Sequence, residues 1–494
     1  MTEHLPVLQV VVPLIAAPLC ALLRPGRAVW LLAMVTCALC LLIAALLLDR
    51  VLAQGVISYA MGGWPAPWGI EYRVDAANAY MLLIVAAIGA VVMAFARTVV
   101  EQRIRLPASK QPWFYATYLL CLTGLLGMIV TGDAFNVFVF LEISSLSSYV
   151  LISIGRDRRA LTAAYQYLIM GTIGATFILI GIGFLYVMTG TLNMADLAAR
   201  LPAVADTRTV RAAFAFLTIG ISLKLALFPL HLWLPNAYAY APSAVTAFLA
   251  ATATKVAIYV LLRFFFTIFG AQFSFGTMRL DAILLPLALA GIFSASVVAI
   301  FQTNVKRMLA YSSVAQIGYM ILGISLVSVT GLTAAISHLF NHALMKGTLF
   351  MALGCVSFRI GAVSLDRMAG VGRIMPWTMG AFVIGGLSLI GVPLTAGFVS
   401  KWYLILGALE RGWWPVALLV LFTSLLAVVY IWRVVETAYF QPAPEGRATT
   451  GEAPLALLVP TWTLALANLY FGLDTSLNAG VARRAAEALL GVGP

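Results

Sequence analysis

The sequence has six lysines, and only Lys110 and Lys306 fall in polar stretches between apolar runs. The other four, Lys224, Lys255, Lys346 and Lys401, lie inside long apolar runs. So do three of the four histidines, His231, His338 and His342, and so does Glu142, in the middle of NVFVFLEISSLSSYV. A charge at the centre of a membrane helix costs roughly 2.5–3.5 kcal/mol, so four lysines together cost on the order of 10 kcal/mol. That is comparable to the whole stability of a folded domain. One such lysine could be explained by snorkelling or a structural pairing. Eight buried titratable groups together point to a charge pathway that faces the protein interior or a wet cavity.

Two local patterns sharpen this reading. In SLKLALFPLHLWLPNAYAYAPSAV, residues 222–245, Lys224 precedes Pro229, His231 and Pro235. Proline inside a helix removes a backbone bond and clashes with the preceding turn. This helix is therefore expected to break, with His231 in the break. GVPLTAGFVSKW, residues 391–402, repeats the device with Pro393 and Gly397 ahead of Lys401. Interrupted helices at membrane depth point to ion sites, and one in each half suggests an internal repeat. The second pattern is HLFNHALMK, where His338, His342 and Lys346 stand at i, i+4 and i+8 on one helix face. A row of titratable groups is what proton transfer needs; core packing of the two histidines is the plainer alternative. No glutamate follows His338, so this is not an H-E-x-x-H zinc motif, and no metal or other cofactor is expected.

Desolvation disfavours a charged lysine, and a neighbouring carboxylate restores the charge. If Glu142 lies beside Lys224, the lysine stays protonated. If Glu142 moves away or is neutralised, the proton can pass to the next group. Glu142–Lys224 is thus expected to be the switch. Lys255, His338 and Lys401 are expected to be successive stations, with His231, His342 and Lys346 in the same relay.

These groups must be positioned by helices. Of 494 residues, 63% are hydrophobic and 10% charged, against roughly 45–50% and 25% in soluble domains. Mean hydropathy is +1.01. Several runs reach the roughly 20 apolar residues that cross a hydrocarbon core, and backbone in lipid must satisfy itself, which makes helix the default. The fold expected is an all-α integral membrane protein of about fourteen spans: 5–23, 28–54, 76–98, 113–131, 134–154, 162–188, 209–235, 243–268, 281–302, 307–328, 331–356, 375–408, 413–440 and 455–472. The N-terminal run has no basic leader and reads as the first span rather than a signal peptide. Residues 59–75, YAMGGWPAPWGIEYRVD, read as an interfacial hairpin with Trp64 and Trp68 at headgroup level. Leu477–Leu490 reads as a short amphipathic helix. Glycine pairs Gly171/Gly174 and Gly181/Gly183 read as sites of close helix packing.

The net charge of +12 does not imply nucleic acid, because the basic residues are scattered through short loops. Loops after helices 1, 3, 5, 9 and 11 carry Arg24, Arg27, Arg103, Arg105, Lys110, Arg156, Arg158, Arg159, Lys306, Arg307, Arg359, Arg367 and Arg373. The opposite loops carry chiefly Arg50, Arg73, Arg200, Arg208 and Arg211. The bias places the first set in the cytoplasm and both termini outside. Cys20, Cys37, Cys40, Cys121 and Cys355 lie in apolar runs and read as packing residues, the C-x-x-C included. No phosphate-binding glycine loop is present, so ATP use is not expected. The polar stretch 441–454 is the longest and reads as a loop.

TGDAFNVFVFLEISSLSSYVL, LKLALFPLHLWLPNAYAYAPS, QTNVKRMLAYSSVAQIGYM, HLFNHALMKGTLF and GVPLTAGFVSKWYL carry a family resemblance. Across most of its length the chain resembles the proton-translocating antiporter-like subunits shared by Mrp-type monovalent cation/proton antiporters, the membrane arm of respiratory complex I and membrane-bound hydrogenases. Within that family it is most similar to the D-type subunits of Mrp antiporters. The resemblance implies fourteen helices with inverted repeats in helices 4–8 and 9–13. It implies N-terminal helices and hairpin over 1–112, the repeats over 113–270 and 271–441, and a last helix with a short tail over 442–494. It also implies that Glu142 and Lys224 are the family's ion pair, Lys255 its central lysine and Lys401 its terminal one, with His231 and His338 in the relay. The chain then reads as an ion-transporter subunit rather than an enzyme, in a bacterial inner membrane. Its partners would be other membrane subunits of a hetero-oligomeric complex, H+ and a monovalent cation, Na+. A proton-pumping subunit of an NADH:quinone oxidoreductase-like or hydrogenase complex is the alternative. Two departures stand out. No long lateral helix follows the fourteenth span, which argues against the largest complex I subunit of this type and against the large A-type Mrp subunits. The tenth span has no acid to mirror Glu142, so an acid for Lys401 would have to come from a neighbouring subunit.

Overall fold

The computed structural model describes residues 2–104, 107–361, 363–444 and 451–492. Arg105 and the middle of the 441–454 stretch lie outside them. The apolar runs form helices in chain order: α1 Leu5–Leu22, α2 Arg27–Gln54, α3 Ala76–Arg103, α4 Gln111–Val130, α5 Ala134–Ser153, α6 Arg159–Thr189, α7 Met194–Arg200, α8 Arg208–Leu225, α9 Trp233–Tyr240, α10 Ser243–Leu262, α11 Leu280–Ile300, α12 Val305–Ser325, α13 Val329–Ile360, α14 Val371–Ile374, α15 Pro376–Ile390, α16 Ala396–Glu410, α17 Trp414–Phe440, α18 Leu455–Leu473 and α19 Ala482–Leu490. Among the described residues, twelve helices are each long and apolar enough to cross a membrane. The seventh and twelfth expected spans are not among those twelve, and both are interrupted: α8/α9 and α15/α16. The protein is a multi-pass membrane protein.

Each break follows from local sequence. Helix α8 ends at Leu225 with Ala226 in the left-handed region (φ 60°), and Pro229 prevents its continuation. The Trp233 indole donates to Leu223 O at 3.0 Å, satisfying one of the carbonyls that a helix end leaves unpaired. Helix α15 ends in Gly391 (φ 90°), a backbone state that suits glycine, and Pro393 follows. The segment Asp366–Ile374, which ends in α14, meets α15 at a bend of 110° instead of extending the span.

Residues 57–74 form the hairpin: β1 Ile57–Ala60 pairs antiparallel with β2 Glu71–Val74, and Trp64 and Trp68 are exposed. Asp75 then caps α3 through the Ala77 and Asn78 amides. Asp133 caps α5 and Asn304 caps α12, and each makes an isolated β-bridge, to Asn193 and Ser364 respectively. The same device thus recurs at the fifth and tenth spans.

The loops sort to two ends. Arg156, Arg159, Ala241, Lys306 and Ser357 line one cavity of about 280 Å³, at the end assigned to the cytoplasm by its basic residues. Arg73, Thr131, Met194, Gly270 and Gly491 line another of about 590 Å³. The tail bends over this second end: a π-turn at Ser476–Val481 leads into α19, and Tyr80 Oη donates to Asn478 O at 3.0 Å.

Two sequence expectations need correction. Lys306 is not a loop residue. Capped by Asn304, α12 starts two residues earlier than expected, so Lys306 is buried in its first turn and donates to Ala241 O at 3.2 Å. Gly183 has nothing within 4 Å of where a Cβ would stand and so packs nothing. A Cβ at Gly171 would meet the Tyr149 hydroxyl at 2.0 Å, and one at Gly174 would meet Gly220 O at 3.1 Å. A Cβ at Gly181 would meet Leu217 Cγ of α8 at 2.6 Å, so the glycines that bring α6 against α5 and α8 are Gly171, Gly174 and Gly181.

Candidate functional site: a buried row of lysines and histidines

Lys224 stands in the last turn of α8, just before the break. It is buried, and its Nζ donates to Ser145 Oγ of α5 at 2.9 Å. The direct contact expected with Glu142 is not made, and Glu142 Oε1 has no hydrogen-bond partner among the described residues. Glu142 is half-buried, with Leu146 and Val150 exposed at i+4 and i+8, but its Oε1 is itself buried. Ser145, at i+3 and so a neighbour along the helix, is the group that reaches the lysine. Ser144, Ser145, Ser148, Tyr167 and Lys224 share a small cavity of about 30 Å³, which has room for water beside polar partners.

Lys255 is fully buried in the middle of α10. Its Nζ donates to Ala250 O of its own helix and sits 3.4 Å from Thr254 Oγ1. His231 lies in the α8/α9 break, its ring 5.4 Å from Phe228 and 6.3 Å from Tyr311 of α12. Its Nδ1 is buried with no partner among the described residues.

His338, His342 and Lys346 do share one face of α13, and that face meets α12. His338 Nε2 lies 2.9 Å from Gln316 Oε1 and Nδ1 2.7 Å from Ser400 Oγ. The His342 ring stacks on His338 with centroids 5.9 Å apart; both its nitrogens are buried and unpaired among the described residues. Lys346 Nζ donates to Leu309 O at 2.8 Å and to Ser312 Oγ. Helix α12 therefore offers Tyr311, Ser312, Gln316 and Tyr319 in succession along the row. Sequence reading found no acid there and assigned the helix nothing; the signal was its regular spacing of hydroxyls and one amide.

Lys401 lies in the second turn of α16, and its side chain reaches back to the α15/α16 break. Its Nζ donates to Leu389 O at 3.1 Å, Ile390 O at 2.8 Å and Ser424 Oγ of α17 at 3.1 Å, and lies 4.9 Å from the Tyr319 ring centroid. Leu389 and Ile390 are the last residues of α15, so the ammonium caps a helix C-terminus, where unpaired carbonyls and the negative end of the dipole favour a cation. The close approach that builds this cage needs Gly397: a Cβ there would stand 1.8 Å from Ser388 O.

The structure also places a further buried cation that the sequence reading passed over. Arg263 follows α10, and its Nη2 lies 2.5 Å from Asp75 Oδ1 at the head of α3. It was legible as one more charge inside the expected 243–268 span.

A family model described as NADH:quinone oxidoreductase/Mrp antiporter, transmembrane region, matches residues 131–427. The N subunit of an NADH-quinone oxidoreductase from Desulforudis audaxviator is 43% identical over 488 residues, covering 96% of this chain and 96% of that one. The D subunit of a Na(+)/H(+) antiporter from Bacillus subtilis is 29% identical, covering 98% and 97%. Among solved structures, a chain of the Mrp complex from Dietzia superposes with a TM-score of 0.90 at 28% identity, over 99% of this chain and 97% of that one.

Proposed function

This chain belongs to the NADH:quinone oxidoreductase/Mrp antiporter transmembrane family, and from that premise we propose that it is the proton-translocating subunit of a multi-subunit monovalent cation/proton antiporter, with Na+ the exchanged cation. The observation that carries this reading is how its buried lysines are held. Lys224, Lys255, Lys346 and Lys401 each rest on hydroxyls or carbonyls, with no salt bridge to a carboxylate among the described residues. A structural lysine in an apolar core is normally paired with an acid. Ammonium groups left on neutral ligands can take up and release protons without breaking an ion pair, and like charges along the row favour discharge of one station when the next is charged.

Protons would pass between Lys224, Lys255, the His338–His342–Lys346 face and Lys401, with His231 feeding the row from its break and Glu142 acting on Lys224 through Ser145. The capping and bridging device at Asp133 and Asn304, found at opposite ends of the molecule, supports an inverted relation between 113–270 and 271–441. The chain that this one superposes on belongs to the Mrp complex, which supports neighbouring membrane subunits here. A bacterial inner membrane is the location this reading implies.

The 43% identical oxidoreductase relative favours a second reading, in which the same relay is driven by a redox complex. One experiment separates them: proton flux in everted vesicles carrying the full complex, under an imposed sodium gradient, with and without a respiratory electron donor, for wild type and Lys224→Ala. Sodium-driven flux lost in the variant supports antiport. Flux seen only with the donor assigns the chain to the redox complex. Flux unaffected by the substitution refutes the relay.

A further inference from the structure

We infer that Asp75 and Arg263 form the outer gate of the proton route that passes Lys255; this rests on the relay reading above. Lys255, Tyr259 and Arg263 stand at i, i+4 and i+8, on one helix face, so the arginine lies about 12 Å further along the axis than the lysine. Between them, the Tyr259 hydroxyl donates to Ile129 O at 2.9 Å and accepts from Asn78 Nδ2 at 2.7 Å and from Arg263 Nε at 2.8 Å. Arg263 Nη2 reaches both Asp75 Oδ1 and Asn78 Oδ1. One guanidinium thus ties the head of α3 to α10, while Tyr259 ties both to the end of α4.

What lies on either side makes this a barrier. The outer cavity of about 590 Å³ is lined by Arg73, Asp75, Asn78, Thr131 and Arg263, but neither Tyr259 nor Lys255 lines it. The charged pair is the cavity floor, and the tyrosine and central lysine lie behind it. Side-chain exposures are 9% for Arg263 and 18% for Asp75, against 50% and 22% for the surface pair Arg200–Asp196. Arginine keeps its proton under all working conditions, so it relays none; placed between Lys255 and the cavity, it blocks. A swing of the guanidinium into the cavity would free the Tyr259 hydroxyl to face water and open a path to Lys255. The pair then has two jobs, to seal the route at rest and to release it during turnover.

The test is passive proton leak, read by a pH-sensitive dye in vesicles carrying the full complex with no sodium gradient, alongside sodium-driven flux. Asp75→Asn removes the latch and is expected to raise the leak about fivefold, since an unpaired buried arginine leaves its site. Combining it with Lys255→Ala is expected to return the leak to the wild-type level. Arg263→Lys keeps the charge but loses the planar fork that holds Asn78 and Tyr259 together; it serves where Asp75→Asn fails to accumulate, with a smaller rise of about twofold. Wild-type leak in whichever variant accumulates normally would overturn the gate. So would a leak that persists without Lys255, provided sodium-driven flux in the wild-type background still needs Lys255. Sodium-driven flux indifferent to Lys255 would instead overturn the relay on which the gate rests.

Discussion

Lys224 and Ser145 are joined by a 2.9 Å hydrogen bond, while Glu142, one turn away on the same helix as the serine, does not touch the lysine. The serine is therefore the link between the acid's helix and the base. Removing one neutral hydrogen bond costs about 0.5–1.5 kcal/mol. Ser145→Ala is expected to slow proton flux roughly three- to tenfold without abolishing it. Glu142→Gln is expected to abolish flux while the protein still reaches the membrane, measured by immunoblot of the same vesicles. An unchanged rate in Ser145→Ala would remove the serine from the path.

Lys401 depends on a different environment, the carbonyl end of α15. A compact ammonium with rotatable donors fits three ligands spread over Leu389, Ile390 and Ser424; a planar guanidinium does not. Lys401→Arg is expected to be as inactive as Lys401→Met, with both lowering flux by more than about tenfold. Ser424→Ala is expected to cause only a fewfold loss, because the two carbonyls remain. Full activity in Lys401→Arg would show that charge alone, and not the helix-end geometry, matters.

Much of this arrangement was legible in the sequence, for a simple reason. A lysine or histidine in an apolar run is conspicuous, and a proline beside it marks the break, so Lys224, Lys255, His338, His342, Lys346, Lys401 and both interruptions could be placed from residue types alone. What could not be read were the partners. Ser145, Ser312 and Ser424 look like ordinary helix serines until tertiary packing brings lysines to them. Glu142 was expected to touch Lys224 because opposite charges attract, yet the Ser145 hydroxyl takes the lysine and leaves the buried Glu142 Oε1 without a hydrogen-bond partner among the described residues. Lys306 was misplaced because a helix start is decided by a capping bond, here from Asn304, that composition does not reveal.

His338 is poised between two neutral partners. A neutral imidazole has one donor and one acceptor nitrogen, so Gln316 and Ser400 can serve either tautomer by exchanging roles. A carboxylate at position 316 would hold the imidazolium form through a charge-assisted bond. Gln316→Glu is expected to lower flux about tenfold, and Gln316→Met less so. The histidine's proton resonances in the full complex would report the change, a fixed imidazolium in the glutamate variant and a neutral ring in the parent. A glutamate variant as fast as wild type would argue that His338 holds no mobile proton.

The outer ion pair makes a prediction about pH. Burial raises the Asp75 carboxyl, but the Arg263 guanidinium and the Asn78 and Ala77 amides outweigh it and hold the group below the ordinary carboxylate value of 3.8. A carboxyl that is lowered in the folded state stabilises the fold above its unfolded value, and that contribution is lost as pH falls through the folded value. The pair should stay charged across about pH 5 to 9, so wild-type passive leak should be flat over that range. In thermal unfolding of the detergent-solubilised complex, Asp75→Asn should melt below wild type at neutral pH, and the gap should narrow only below about pH 4. A gap that closes near neutrality would mean the carboxyl is not held ionised by Arg263. A gap that stays constant to about pH 3 would mean the aspartate's contribution is not electrostatic at all.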